Sequence, residues 1–352
     1  MDIKKYFVNE NISVRDAIKA IEATGKKVVF VVDKEERLLG IFTDGDMRRF
    51  IMKNGELSAP VREAMNEHPV VFREDEEDKL QERVAKDKML VYPMINSEGH
   101  LVRAIFWDDV DMISSEDNLP QGMPIVIMAG GIGSRLYPYT KILPKPLIPI
   151  GELPISEHII ERFRRYGCDE FFMVINYKKN MIKAYFNDLE KDYKVHYMEE
   201  QEFLGTGGGL KLLESKIDSA FFLTNCDILV EASYSSIYRY HKNSKNKITV
   251  VCAMKNIKVP YGVINLDGNG KIDSMTEKPE YSFLTNTGLY VIEPEVIGRI
   301  KVNTFTDMPS IIQSCIDDGE NVGVYPITEK QWLDMGQMAD LNNMVKALEK
   351  TE

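Results

Sequence analysis

Cysteine is scarce in this chain and nowhere clustered. Cys168, Cys226, Cys252 and Cys315 stand apart among apolar neighbours with no C-x-x-C spacing, which argues against a thiolate metal site or redox pair and points to reduced core thiols in a cytoplasmic protein. The five histidines, His68, His100, His158, His196 and His241, are equally scattered, so no zinc centre is expected. Long apolar runs are missing too. Nothing approaches the roughly 20 residues that a membrane span needs, and Met1-Asp2-Ile3-Lys4-Lys5-Tyr6 lacks the apolar core and cleavage site of a signal peptide, so none is expected. Positive charge is in deficit. A formal net charge of −11 repels nucleic acid and anionic lipid, so an anionic substrate must be met by a local concentration of Arg and Lys.

With 352 residues, 44% of them hydrophobic and 28% charged, the chain is long for one core and should hold two or three globular domains. A polar stretch with Pro and Gly at 114–122 marks a boundary. Upstream, residues 28–46 read as strand, turn, strand, and a weaker copy follows about 63 residues later at 90–109, which predicts a duplication. Each copy follows a helical stretch, at 13–24 and 76–86, and the first is followed by another at 46–53. The copies are assigned to 1–57 and 58–115, and a larger domain to 123–352. In that domain strand-like and helical runs alternate, which predicts a parallel, doubly wound α/β sheet, with further helices at 307–317 and 337–349.

The sharpest signal is Ala129-Gly130-Gly131-Ile132-Gly133-Ser134-Arg135-Leu136, directly after an apolar run, with Pro144-Lys145-Pro146 beyond it. Glycines let backbone N–H groups close around phosphate oxygens, and Arg135 and Lys145 supply neutralising charge. The loop is neither a Walker A loop, since no Gly-Lys-Ser/Thr follows, nor a dinucleotide fingerprint, since Leu136 stands where the third glycine belongs. Asp227, in Thr224-Asn225-Cys226-Asp227 at the end of an apolar strand, is poorly placed for packing and well placed to hold Mg²⁺, although a helix cap would also account for it.

Residues 130–146 fit the signature GGxGxRLxPxTxxxPKP in full, and on this ground residues 123–345 resemble the nucleoside-diphosphate-sugar pyrophosphorylases, sugar-1-phosphate nucleotidyltransferases. The resemblance implies a Rossmann-like α/β domain with a mixed, mostly parallel sheet, in which Arg135 and Lys145 bind phosphate. It implies a base-receiving loop at Leu204-Gly205-Thr206-Gly207-Gly208-Gly209, and one Mg²⁺ held by Asp227 and Asp334. Sugar-side contacts follow at Tyr261-Gly262, Glu277-Lys278 and Asn286-Thr287, with Lys278 on the sugar phosphate. The strands from Ile248 onward are expected to extend the sheet and cover the sugar pocket.

Glu200, five residues before Gly205, replaces the glutamine usual near that place in uridylyl and thymidylyl members. A carboxylate accepts two hydrogen bonds from guanine N1–H and N2–H₂, so GTP is the favoured donor. Glucosamine 1-phosphate is the favoured acceptor, by analogy with CBS-fused enzymes of bacterial surface-glycan and nonulosonic acid pathways, followed by mannose or heptose 1-phosphate. Other base specificities and a catalytically silent sugar-nucleotide sensor stay open as alternatives. No hexapeptide repeat follows, which argues against acetyltransferase activity.

The duplicated region resembles a pair of CBS domains. Gly40-Ile41-Phe42-Thr43-Asp44-Gly45-Asp46 fits the family's GxxTxxD element, with Thr43 toward phosphate and Asp46 toward ribose of a regulatory nucleotide. In the second copy Arg103 and Phe106 replace the glycine and threonine while Asp109 keeps the acid, so one well-formed nucleotide site at most is expected. Such pairs commonly associate, which leaves a homo-oligomer open.

Overall fold

The computed structural model describes residues 3–53, 55–73, 91–106, 118–336, 340–341 and 344–345. The helix expected at 76–86, most of that expected at 337–349, and Asp109 lie outside them. Two compact units emerge: Met1–Ser114 with Met254–Leu284, and Ser115–Ala253 with Thr285–Glu352.

In the first unit, strands β1 (Phe7–Asn9), β2 (Val28–Val32) and β3 (Leu38–Thr43) form one small sheet. Strands β4 (Phe72–Arg73), β5 (Val91–Ile95) and β6 (Leu101–Phe106) form another. In each, the first pair is parallel and the second antiparallel. The duplication extends to detail. The register slips at Val31/Val32 and at Met94/Ile95, and the β2–β3 and β5–β6 turns are each closed by one side chain, Asp33 or Asn96, accepting two backbone N–H groups. Gly40 and Arg103 occupy corresponding rungs, opposite Val31 and Met94. The short strands β1 and β4 were missing from the sequence reading. Three residues or fewer give too little alternation to register as a pattern.

Helix α1 (Val14–Thr24) is capped by Ser13 and buries Val14, Ala17, Ile18 and Ile21, the i, i+3, i+4, i+7 face. That face shares a core with Val29, Val31, Phe42, Met47 and, from much later in the sequence, Met254, only 2% exposed. Between Met254 and Leu284 the chain forms an antiparallel hairpin of strands on 263–266 and 272–276.

The second unit is built on a parallel core. Strands β7 (Ile125–Ala129), β10 (Glu170–Ile175), β11 (Lys194–Glu199) and β12 (Phe221–Asn225) are mutually parallel in the order β11-β10-β7-β12; the intervening labels β8 (Pro149–Ile150) and β9 (Leu153–Pro154) belong to a small separate pair. Beyond β12 follow the strands on 280–292, antiparallel to it, then 248–258 and 322–328, so the later strands do extend the sheet. Each buried strand is apolar on both faces because both are covered. Ile125, Ile127, Phe171, Met173 and Ile175 share a core with the helices Ile155–Arg164, Lys179–Asp188 and Tyr234–Asn243. Val126, Met128, Phe172 and Val174 share one with Leu210, Leu213 and the helix Met308–Asp317. All four cysteines are buried and unpaired.

Candidate active site

Because β7, β10, β11 and β12 are parallel, their carboxyl ends meet at one edge of the sheet, the place where open α/β sheets bind ligands. Ala129 leads there into Gly130, Ile175 into Asn176-Tyr177-Lys178, Glu199 into Glu200, and Asn225 into Cys226-Asp227. A cleft of about 360 Å³ opens at this edge. Gly130, Gly131, Gly133, Ser134, Arg135, Lys145, Glu200, Gly205, Thr206 and Asp227 line it. Ala129 and Leu204, also expected to contact nucleotide, are buried and are not among the lining residues.

The glycine turn has steric reasons. Gly133 takes φ +69°, and a Cβ there would stand 2.9 Å from Thr140 Cγ2 and 3.3 Å from Lys145 Cβ. Thr140 Oγ1 closes the loop by donating to the Gly133 carbonyl at 3.0 Å. The loop thereby draws Lys145 back beside the glycines, although eleven residues separate it from Gly133.

Lys145 forms an ion pair with Asp227 in which both side chains are largely buried. Asp334 lies opposite Ile228 on the paired strands Ile228–Val230 and Trp332–Asp334, and Met335 N–H donates to the Asp227 carbonyl at 2.8 Å. Burial, followed by the Asp227 charge, holds the Asp334 carboxyl above its ordinary pKa, while the Gly336 N–H and Lys145 pull it down. Two carboxylates and one ammonium thus share a site, with Gly336 on the cleft wall. Among the described residues no group of three or more His, Cys, Asp or Glu side chains is placed to hold a metal by itself.

Glu200 is 2% exposed, with Oε1 lacking any hydrogen-bond partner among the described residues. Two glycines make room for it. A Cβ on Gly130 would stand 2.6 Å from Oε2, and one on Gly209 2.7 Å from Oε1. Burial pushes the carboxyl pKa up to about 7, moderated by the Leu204 backbone N–H.

Residues 125–351 match the family described as Nucleotidyl transferase, and residues 1–53 match the CBS domain. The chain belongs to the nucleotidyl transferase family. Its similar proteins include the mannose-1-phosphate guanyltransferase of Emericella nidulans, 31% identical over 228 residues, which are 62% of each chain. That of Saccharomyces cerevisiae is 32% identical over 226 residues, 61% of this chain and 62% of the yeast protein. The chain therefore spans less than two thirds of these relatives' length. Among solved structures, HddC from Yersinia pseudotuberculosis superposes with a TM-score of 0.51 at 24% identity, covering 65% of this chain and all of that one. A putative glucose-1-phosphate thymidylyltransferase from Bacillus anthracis gives 0.52 at 21%, covering 64% and 94%. At these identities the likeness is one of fold.

The remaining expected residues of this nucleotidyl transferase divide between the units. Asn286 and Thr287 lie on the strand Glu280–Ile292. Thr287 is buried and its hydroxyl donates to the Val251 carbonyl at 2.7 Å, so its side chain is engaged within the sheet. Asn286 donates to the Tyr290 hydroxyl. Tyr261, Gly262, Glu277 and Lys278 belong to the 254–284 segment of the first unit. There Gly262 and Glu277 are neighbours, a Cβ on the glycine falling 3.1 Å from Glu277 Oε2.

In the CBS copy, Thr43 and Asp46 form a reciprocal capping box at the start of helix α2 (Asp44–Met52). Asp46 Oδ2 accepts from the Thr43 N–H and hydroxyl, and Oδ1 accepts from Arg49. Gly40 has a packing reason of its own, since a Cβ would stand 2.6 Å from the Asn66 carbonyl.

Sequence reading missed Asn176-Tyr177-Lys178. Tyr177 N–H donates to the Gly130 carbonyl and its hydroxyl to that of Thr140. Asn176 reaches the Glu200 carbonyl at 3.4 Å, and Lys178 Nζ caps the carbonyls of Lys141 and Ile142. The available signal was a polar triplet directly after a buried parallel strand.

Proposed function

We propose that this protein transfers a guanylyl group from GTP to a sugar 1-phosphate, releasing pyrophosphate. One observation carries the reading: the glycine turn, Lys145, Asp227 and the buried Glu200 line a single cleft, with Gly336, two residues after Asp334, on its wall. The mannose-1-phosphate guanyltransferase relatives support the guanylyl assignment and bring mannose 1-phosphate level with glucosamine 1-phosphate as the first acceptor to try.

An oxygen of the sugar phosphate attacks the α-phosphorus in line, forming one P–O bond while the α–β bridging bond breaks and pyrophosphate departs. The attacking oxygen is ionised at neutral pH, so no general base is required. Positioning and charge neutralisation carry the rate. Arg135 and Lys145 face the triphosphate across the glycine turn, and Glu200 accepts from the guanine edge. Asp227 and Asp334 fit a Mg²⁺ ion, which is commonly bound by one or two carboxylates together with substrate phosphates. When bound, it supplies Lewis-acid stabilisation of the phosphate oxygens. Lys145 is paired with Asp227 and would be free to turn toward phosphate if a bound cation neutralised that carboxylate. Loss of either cation, in Arg135→Ala or Lys145→Ala, should lower turnover about 10²-fold or more. Near-normal turnover in both variants refutes the assignment. Sugar-dependent pyrophosphate release separates an enzyme from a catalytically silent sensor.

A regulatory nucleotide at the CBS copy would share or compete for an Asp46 carboxylate already engaged by Thr43 and Arg49. The test is kinetic: Asp46→Ala abolishes any response of turnover to added adenine or guanine nucleotides, and an unchanged response removes this site from the proposal.

A further inference from the structure

The rim of the cleft carries an aromatic ring that the reaction does not require. Phe203 lines the cleft, three residues after Glu200, and is 49% exposed. Its neighbour Phe305 is 64% exposed, their centroids lying 6.1 Å apart at an interplanar angle of 57°. Phe305 in turn packs on the base-receiving loop: a Cβ on Gly205 would stand 3.1 Å from Phe305 Cε2. Phe203 thus keeps about half of its surface in water on the cleft wall, although Phe305 packs beside it. The Glu200 carboxylate nearby reads only the edge of a base and leaves its two faces unmatched.

We infer that Phe203 is the platform on which the face of the bound nucleobase stacks, with Phe305 as its support. This rests on the cleft being the nucleotide site. The division of labour is specific. A π-face is common to all bases, so Phe203 contributes affinity without discrimination, whereas Glu200 contributes discrimination through hydrogen bonds.

The test is equilibrium binding of GTP, ATP, UTP and CTP, with Mg²⁺ and without sugar phosphate, to the full-length protein. Wild type, Phe203→Ala, Phe203→Trp and Glu200→Gln are compared. Phe203→Ala should weaken every nucleotide that the wild type binds by about tenfold and leave the order of preference unchanged. Phe203→Trp should restore affinity and show indole quenching on binding. Glu200→Gln should weaken GTP selectively. Wild-type affinities in Phe203→Ala, or a loss confined to one base, overturn the stacking assignment. A wild type that prefers UTP or CTP, yet loses affinity in Phe203→Ala, sinks the guanine reading and leaves the stacking intact. Absence of nucleotide binding by the wild type removes both. Phe203 is half exposed, so its replacement spares the core.

Discussion

Glu199 and Glu200 are adjacent acids with opposite fates. Glu199 pairs with Lys183 and Lys179, which lowers its pKa, while Glu200 turns inward to the cleft with no cationic partner among the described residues. The residue type at 200 was legible in sequence. Its burial was not, because Glu199-Glu200-Gln201-Glu202 reads as a solvated run and only strand geometry separates the faces. The pKa near 7 sets a sign. Only the ionised carboxylate accepts both guanine N–H groups, so GTP affinity should rise as pH increases through about 7, and Glu200→Gln should flatten that profile. For stability the sign reverses. A folded-state pKa raised above the ordinary 4.5 means the folded state holds its proton longer, so this group's stabilising contribution is present below pH 4.5 and lost as pH rises toward 7. Thermal melts of wild type and Glu200→Gln across that window check it. Gly209→Ala would place a Cβ 2.7 Å from both Glu200 Oε1 and Val174 Cγ1. It should reduce GTP affinity several-fold and lower the melting temperature, an effect that unchanged titrations would deny.

At the scale of elements, the parallel strands and their helices followed from periodicity, and the glycine motif marked the loop that borders the cleft. What periodicity could not show is how the loops at that edge are tied together. The Asn176–Lys178 turn bridges the Gly130 carbonyl, the Glu200 carbonyl and the short helix Tyr139–Ile142 that separates Arg135 from Lys145. Lys178 does so as a cation at that helix's carboxyl end, where it complements the helix dipole. Small misplacements of reacting groups are costly in rate. Lys178→Met should therefore lower kcat about tenfold or more with little change in melting temperature, and Lys178→Arg should recover most of it. Steady-state kinetics that do not distinguish the three proteins would show the turn to be passive.

On the scale of the whole molecule, chain order and spatial grouping diverge. Residues 254–284 interrupt the second unit in sequence yet cluster with the first, and Met254 is buried among Val14, Ile18, Phe42 and Met47. Sequence reading placed a boundary near 115 and kept everything beyond 123 together, because apolar spacing shows that a residue is buried and never by whom. Removing residues 1–115 would strip the cover from Met254, costing about 1.5–3 kcal/mol for that side chain alone. The truncated chain should melt at lower temperature than the full chain, so point variants at Asp46 are the sounder probe of nucleotide response. In the proposed reaction Asp334, on the strand Trp332–Asp334, Asp227, directly before the partner strand Ile228–Val230, and the cations of the glycine loop act on one nucleotide. The most direct measurement is pyrophosphate release by the full chain from GTP, Mg²⁺ and mannose or glucosamine 1-phosphate, compared with Asp334→Asn. Release should depend on the sugar phosphate and fall at least a hundredfold in the variant, and undiminished release in Asp334→Asn would remove the aspartates from the reaction.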